Sequence, residues 1–271
     1  MSHSYEVGGS DNDVHRPVGE SVELDVLRVT QEKRAQMHKE LAQILGRFKI
    51  DWKVLRAVML TTGAVISGSA ALAVLQPGEF VPQDLDIYVT SKNLATLIVF
   101  LNEQGYGVQI PAPGTPKSEY PKTTVTLTLK NNAGEKIDLI ATTEPHVMHS
   151  ITQFHSTCVM NFIAYYGIVC LYPEWTIGKT GFVRATWTDQ RVINKYRGRG
   201  FAMVYTLAEL GERDRKQVCG THQCYLRARR ELHDDLTLFI PFEDTVFNVH
   251  TEEQRRVRWV LQIDHECRKQ A

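Results

Sequence analysis

Two aspartates separated by one residue, Asp84 and Asp86, are the part of this sequence best suited to do chemistry. Side chains two positions apart on a β-strand point to the same face, so the pair would lie side by side while Leu85 and Ile87 enter the core. Adjacent carboxylates repel each other, and both stay ionised only when a cation lies between them. Oxygen ligands in this arrangement suit hard divalent ions. The sequence therefore predicts a Mg²⁺ (or Mn²⁺) site on this strand.

A third aspartate, Asp138, interrupts an otherwise apolar strand at residues 136–140. An unpaired charge buried there would cost several kcal/mol. If this strand lies beside the one that carries the first two aspartates, three carboxylates meet, and they can hold two metal ions about 3.5–4 Å apart for displacement at phosphorus. The structural alternative is a salt bridge from Asp138 to Lys136 or to an arginine of the C-terminal segment.

A tight turn at Gly68 and Ser69 supplies the second half of such a site. The turn follows an apolar run at residues 64–66 and precedes residues 70–75, which have helix-forming composition. Free N–H groups at a helix N-terminus, the Ser69 hydroxyl and the positive end of the helix dipole all favour a phosphate. The turn and the acids together describe a pocket for a nucleoside triphosphate and its metal ions.

The order of these features resembles the polymerase-β type of the nucleotidyltransferase superfamily, and in particular its uncharacterised fungal members. The order is an apolar strand, Gly-Ser, a helix, Asp-x-Asp on a strand and a later aspartate on another strand. The resemblance covers residues 63–140, about a third of the chain. It implies that Asp84 and Asp86 bind both metals, that Asp138 helps bind the catalytic metal and serves the attacking hydroxyl, and that the Gly-Ser turn holds the triphosphate. Fourteen residues separate the turn from the first aspartate. This spacing is longer than the family's motif, which leaves a degenerate, non-catalytic member as the alternative.

The densest basic segment, residues 191–200, is a candidate for binding anions. Lys195 and Arg197, together with Arg199, are predicted to contact the triphosphate or a nucleic-acid backbone, and Tyr196 to stack on a base. The alternative is a solvated helix end that runs into a glycine loop.

Periodicity and punctuation predict an α/β (α+β) fold that positions these residues. Residues 1–20 are interpreted as a disordered leader and residues 21–60 as N-terminal helices. Residues 61–145 are predicted to form a small mixed sheet of the nucleotidyltransferase type with flanking helices, and residues 146–271 a mostly helical C-terminal lobe. The expected buried stripe of the N-terminal helical arm is Met37, Leu41, Ile44, Leu45 and Phe48.

Charge and hydropathy limit the classes of partner. The 271 residues include 31 Lys or Arg and 31 Asp or Glu, and this formal net charge of zero argues against a general polyanion-coating role, although a local basic groove remains open. No apolar run reaches the roughly 20 residues of a membrane-spanning helix, and the first twenty residues lack the apolar region of a secretory signal. No membrane partner is therefore expected.

The cysteines indicate the compartment. Five cysteines, an odd and scattered set, favour free thiols in a reducing compartment, the cytoplasm or nucleus, with no disulfide partner. They are Cys158, Cys170, Cys219, Cys224 and Cys267. A zinc site at Cys219 and Cys224, completed by Cys267 or His265, is the alternative to ordinary thiols in a turn.

The predicted function is the Mg²⁺-dependent transfer of a nucleoside monophosphate from a nucleoside triphosphate to an unidentified acceptor, which is a small molecule, a protein or an RNA. One alternative is a catalytically inactive protein that keeps the fold and binds nucleotide or acts as a scaffold. The other is an enzyme that modifies RNA or tRNA. The sequence contains neither a P-loop nor a dinucleotide-binding Gly-x-Gly-x-x-Gly motif.

Overall fold

The computed structural model describes residues 30–110, 124–211, 229–232, 234–242 and 257–261. The helices are α1 (Gln31–Arg47), α2 (Trp52–Thr62), α3 (Gly68–Leu75), α4 (Leu94–Glu103), α5 (Met148–Ile151), α6 (Pro173–Ile177) and α7 (Gln190–Arg197). The strands are β1 (Val65–Ser67), β2 (Asp84–Thr90), β3 (Gly107–Val108), β4 (Thr124–Lys130), β5 (Lys136–Thr142), β6 (Asn161–Ala164), β7 (Gly167–Cys170), β8 (Thr180–Phe182), β9 (Ala202–Val204), β10 (Arg230–Glu231), β11 (Leu238–Pro241) and β12 (Arg258–Trp259).

A mixed sheet of eight strands, in the order β11-β7-β6-β1-β2-β5-β4-β3, organises the fold. Strands β2 and β5 are parallel, and the other neighbouring pairs in this sheet are antiparallel. Two small sheets, β8-β9 and β10-β12, lie outside it. The prediction of an α/β fold with a central mixed sheet and flanking helices is confirmed.

The N-terminal helices cover one face of the sheet. The side chain of Thr30 caps α1, and that of Asp51 caps α2 by accepting hydrogen bonds from the N–H groups of Lys53 (2.8 Å) and Val54 (3.2 Å). The predicted apolar stripe of α1 is buried in one core with residues of β2 and β5 that point to this face. These sheet residues are Leu85, Ile87, Ile137 and Leu139. The alternate residues of β2 and β5 therefore face the other side.

The C-terminal segment covers that other side, where Tyr88 and Ile140 share a core with Val147 and Met148. It contains the strand pair β6-β7 and further strands, so the prediction of a mostly helical lobe needs correction to a mixed α and β segment. The cause is the apolar run at residues 160–172. Both strands of the pair are buried on both faces and show no alternation of polar and apolar residues, so periodicity could not distinguish them from a buried helix.

Several predictions concern residues outside the described ranges, namely the leader at residues 1–20 and the zinc candidates Cys219, Cys224, His265 and Cys267. Within those ranges, Cys158 and Cys170 are buried free thiols. The described helices include none whose length and apolar character would let it cross a membrane.

Candidate active site

The three predicted aspartates meet on the face of the sheet that the N-terminal helices do not cover. Asp86 on β2 lies directly opposite Asp138 on the parallel strand β5, and Asp84 lies two residues before Asp86 on the same face. One carboxylate oxygen from each of the three lies within 4.8 Å of the other two. Asp86 and Asp138 are 8% and 7% exposed. Carboxylates this close and this buried require positive charge nearby.

Hydroxyl side chains extend this row of acids across the sheet on both sides. Ser67 of β1 is the register partner of Asp86, and Thr128 of β4 is the register partner of Asp138. The Thr128 hydroxyl donates a 2.7 Å hydrogen bond to Oδ1 of Asp138. The Ser67 hydroxyl donates to the backbone carbonyl of Asn161 at 2.5 Å, which ties β1 to β6. Thr128 could not be identified from the sequence, because only the register of β4 on β5 reveals its contact with Asp138.

Lys136 supplies a cation inside the cluster. Its Nζ lies 3.1 Å from Oδ2 of Asp84 and 2.9 Å from Oδ2 of Asp138. Burial lowers the pKa of Lys136, but the hydrogen bonds and charges of Asp138 and Asp84 outweigh burial and raise the pKa above its usual value. The two interpretations of Asp138, as a member of an acidic triad and as a salt-bridge partner of Lys136, therefore both hold.

The Gly68–Ser69 turn begins α3 directly beside Asp86. Gly68 has a φ of +61°, and a Cβ at this position would collide with Oδ2 of Asp86, so only glycine allows the backbone to approach the carboxylate this closely. Ser69 is 2% exposed, and its hydroxyl has no hydrogen-bond partner among the described residues. A buried hydroxyl without a partner costs free energy unless a ligand satisfies it. Its place at a helix N-terminus suits a phosphate oxygen.

This donor set fits a hard divalent cation. Three carboxylates supply oxygen ligands, which Mg²⁺ and Mn²⁺ prefer over nitrogen and sulfur. The Ser69 hydroxyl, which has no partner in the part of the chain that the structure describes, follows Gly68 in the turn beside Asp86 and is an independent observation that also points to a bound polar ligand. The residues present therefore suit a metal ion together with the phosphates of a nucleotide.

The basic residues of α7 lie in different surroundings. Arg197 donates from Nη1 to Oδ1 of Asn194 at 3.2 Å, and its guanidinium lies 5.9 Å from the centre of the Tyr205 ring. Lys195 is exposed, with its Nζ 5.9 Å from the centre of the Tyr196 ring. These contacts do not by themselves connect either side chain to the carboxylates.

Tyr196 on α7 lies near the acidic cluster, and Arg199 packs against Tyr196. The sequence predicts that Tyr196 stacks on a base. Tyr196 is only 4% exposed, however, so it is buried and not available for stacking. Burial raises the pKa of the Tyr196 phenol, and the nearby charges of Asp86 and Asp84 are among the further causes of the rise. The Arg199 guanidinium lies 4.1 Å from the centre of the Phe80 ring and 5.2 Å from that of Tyr196.

Arg199 is thus held between α7 and the loop that leads into β2. Its Nη1 is buried and has no hydrogen-bond partner among the described residues. The sequence could indicate a basic segment here, but it could not single out this arginine. The contact with Phe80 joins residues 119 positions apart and arises only from the packing of the two segments.

Comparisons with known proteins give structural matches only. No family model and no curated protein matches the sequence. The apo form I of a CCA-adding enzyme matches 66% of this chain and 45% of its own, with 18% identity and a TM-score of 0.42. The Thermotoga maritima CCA-adding enzyme complexed with tRNA matches 65% of this chain and 44% of its own, with 17% identity and a TM-score of 0.41. A CCA-adding enzyme complexed with CTP matches 66% of this chain and 45% of its own, with 17% identity and a TM-score of 0.37.

This chain therefore spans less than half the length of these matched chains. Matches at this identity and TM-score assign no function to this chain.

Proposed function

We propose that the protein is a divalent-metal-dependent nucleotidyltransferase of the polymerase-β type, which transfers a nucleoside monophosphate from a nucleoside triphosphate to an acceptor. The observation that carries the proposal is the meeting of Asp84, Asp86 and Asp138 within 4.8 Å, directly beside the Gly68–Ser69 start of α3. Acids that hold metal ions and a helix N-terminus that holds phosphates are the two parts that nucleotidyl transfer requires.

Each residue has a defined role in this reaction. Asp84, Asp86 and Asp138 would hold Mg²⁺ or Mn²⁺, which when bound neutralises the charge that develops on the phosphates. The N–H groups at the start of α3 and the Ser69 hydroxyl bind phosphate oxygens. The acceptor oxygen attacks the α-phosphorus and passes its proton to Asp138, while the bond from the α-phosphorus to the bridging oxygen breaks and pyrophosphate leaves.

Cationic side chains of α7 and the loop after it complete the proposed triphosphate site. Lys195 and Arg197 remain candidates. Arg199 joins them because its buried Nη1 has no partner within the described ranges and because it packs on Phe80, four residues before Asp84. A planar guanidinium can donate two parallel hydrogen bonds to a phosphate.

The proposed acceptor is a hydroxyl or phosphate of a small molecule, a protein or an RNA, since the zero net charge favours none of them. The buried free thiols Cys158 and Cys170 suit the cytoplasm or nucleus, where we place the reaction.

The decisive experiment compares the parent protein with Asp86→Asn. Each of the four ribonucleoside triphosphates, labelled at the α-phosphate, is incubated with protein, Mg²⁺ or Mn²⁺ and a cell extract as the source of acceptors. Pyrophosphate release and transfer of label are then measured. The parent should show both, and Asp86→Asn should lose about a hundredfold or more of the rate. Asp51→Asn is the matched control, because asparagine also caps a helix and Asp51 lies at the start of α2.

The same preparation distinguishes the inactive alternative. A nucleotide and Mg²⁺ that bind the folded protein raise its unfolding temperature whether or not transfer occurs. A parent protein that is stabilised by every nucleotide yet releases no pyrophosphate would overturn the transfer reaction and would support a nucleotide-binding or scaffold protein.

A further inference from the structure

Lys136 places an ammonium group among the three carboxylates that we assign to metal binding. We propose that Lys136 serves as a built-in cation of this centre, so that the nucleotide-free protein binds one divalent ion rather than two. The inference rests on the metal-binding part of the proposed function and adds to it the number of ions and the residue that sets this number.

The position of Lys136 follows from the sheet. On the parallel strands β2 and β5, Asp84 lies opposite Lys136 and Asp86 lies opposite Asp138, so the four side chains form a rectangle on one face. Within it, Nζ of Lys136 contacts Oδ2 of Asp84 at 3.1 Å and Oδ2 of Asp138 at 2.9 Å. The ammonium therefore bridges the diagonal from Asp84 to Asp138 and occupies two oxygens that would otherwise be open to a metal ion.

The hydrogen bonds of Asp138 also indicate that this side of the cluster is occupied by the protein's own side chains. Its Oδ2 contacts Lys136, and its Oδ1 accepts the hydrogen bond from Thr128. Both oxygens of this carboxylate are therefore engaged by side chains in the nucleotide-free protein. Asp86, which lies against Gly68, marks the side of the cluster that offers the better position for an ion in this state.

Competition for the same oxygens limits the number of ions. The ammonium group of Lys136 already contacts Oδ2 of Asp84 and Oδ2 of Asp138, so a second ion would have to displace Lys136 or compete with it for these oxygens. Removal of the ammonium would free both oxygens for a second ion.

The hydroxyl of Ser69, for which the described segments offer no hydrogen-bond partner, is an independent sign that a ligand belongs beside this centre. Ser69 is buried and adjoins Gly68, whose backbone lies against Asp86. The first ion and the phosphates would therefore meet on the Asp86 side, while Lys136 holds the opposite side of the cluster.

The test is a count of Mn²⁺ ions bound to the full chain without nucleotide. Unbound Mn²⁺ is measured by electron paramagnetic resonance during a titration, and calorimetry gives an independent stoichiometry. The parent and Lys136→Arg should each bind one ion per chain. Lys136→Met keeps a side chain of similar length but removes the charge, so it should bind two.

Two ions on the parent, no ions on the parent, or a single ion on Lys136→Met would each overturn the inference. If Lys136→Met does not fold, as judged by circular dichroism, the parent stoichiometry and that of Lys136→Gln decide the question. Pyrophosphate release separates this result from the proposed function. A parent that releases pyrophosphate but binds two ions keeps the function and loses the inference. If the parent binds one ion, Lys136→Met binds two and the parent releases no pyrophosphate, the inference holds and the proposed function is lost.

Discussion

Gly68 and Asp86 lie so close together that the Asp86 carboxylate can keep its position only because Gly68 has no side chain. The backbone of Gly68 adopts a φ of +61°, and a Cβ there would overlap Oδ2 of Asp86. The two residues come from the start of α3 and from β2, so this approach joins the proposed phosphate site to the proposed metal site.

Gly68→Ala should displace the Asp86 carboxylate and weaken metal binding. The terminal oxygen of an aspartate can move more easily than backbone, so we expect the clash to appear as a loss of about tenfold or more in Mn²⁺ affinity. The left-handed conformation adds about 1–2 kcal/mol of destabilisation. Titration with Mn²⁺ and urea unfolding measure the two effects separately.

Gly63→Ala is the matched control for this substitution. Gly63 has a φ of +67°, and a Cβ there would meet nothing within 4 Å, so the variant carries the same backbone strain without the clash. It should lose similar stability and keep its affinity for Mn²⁺. Equal Mn²⁺ affinities in the two variants would show that the contact with Asp86 does not matter.

Thr128→Val should loosen Asp138 without removing any carboxylate. The substitution deletes the 2.7 Å hydrogen bond from the Thr128 hydroxyl to Oδ1 of Asp138 and keeps the branched shape that suits β4. Groups that orient a metal ligand affect affinity about 10- to 100-fold, and we expect a decrease in Mn²⁺ affinity at the lower end of that range. Thr128→Ser retains the hydroxyl and should restore most of the affinity. A serine variant as weak as the valine variant would contradict this role.

The sequence was sufficient to pair Asp84 with Asp86, because residues two apart on a strand share a face whatever the strand packs against. The same rule put Lys136 and Asp138 on one face of β5. The meeting of these two pairs required β2 and β5 to be neighbours in register, and that depends on the long-range assembly of the sheet. From the sequence alone, the three carboxylates are therefore expected to meet only on the condition that β2 and β5 are neighbours.

Other parts of the site could not be predicted for similar reasons. The Thr128 hydroxyl is one of several alternating threonines of β4, and only the register distinguishes it from Thr126. The pair β6-β7 was obscured because its residues are buried on both faces. The stacking of Arg199 on Phe80 depends on how α7 packs against the loop before β2. Local propensity contains no information about these contacts.

Arg199→Ala should weaken nucleotide binding more than Arg197→Ala. The Arg199 guanidinium is held by two aromatic rings and has a buried donor with no partner among the residues that the structure describes. The guanidinium of Arg197 is exposed and bonds to Asn194 on its own helix. We expect the KM for the nucleoside triphosphate to rise about tenfold or more in Arg199→Ala and less than about threefold in Arg197→Ala, since a hydrogen bond to a charged group contributes about 1.5–3 kcal/mol.

Arg199→Lys keeps the charge but loses the planar donor pair, so its KM should lie between those of the parent and the alanine variant. Binding measured from nucleotide-dependent shifts in unfolding temperature provides a readout that does not require turnover. A larger loss in Arg197→Ala than in Arg199→Ala would assign the triphosphate contact to the exposed arginine instead.

His155 should make the protein less stable in acid. Burial lowers the pKa of His155 to about 3, and the charge of Lys195 adds to this effect. The ordinary pKa in an unfolded chain is about 6.5, so between these two values the unfolded state binds a proton that the folded state does not. The free energy of unfolding should therefore fall as the pH drops from about 6.5 toward 3, with a slope from this group of about 1.4 kcal/mol per pH unit.

His155→Phe removes the titrating group and keeps an aromatic ring between Trp187 and Tyr196, whose ring centres lie 5.5 and 5.1 Å from that of His155. Because other residues titrate in the same range, the informative quantity is the difference in slope between parent and variant in urea unfolding at a series of pH values. The slope of the free energy of unfolding against pH should be smaller in the phenylalanine variant, by roughly the contribution of one proton. Lys195→Met should keep this slope but narrow the pH range over which it applies, because it removes only the second cause of the low pKa. Parallel curves for the parent and His155→Phe would mean that His155 takes up no proton on unfolding.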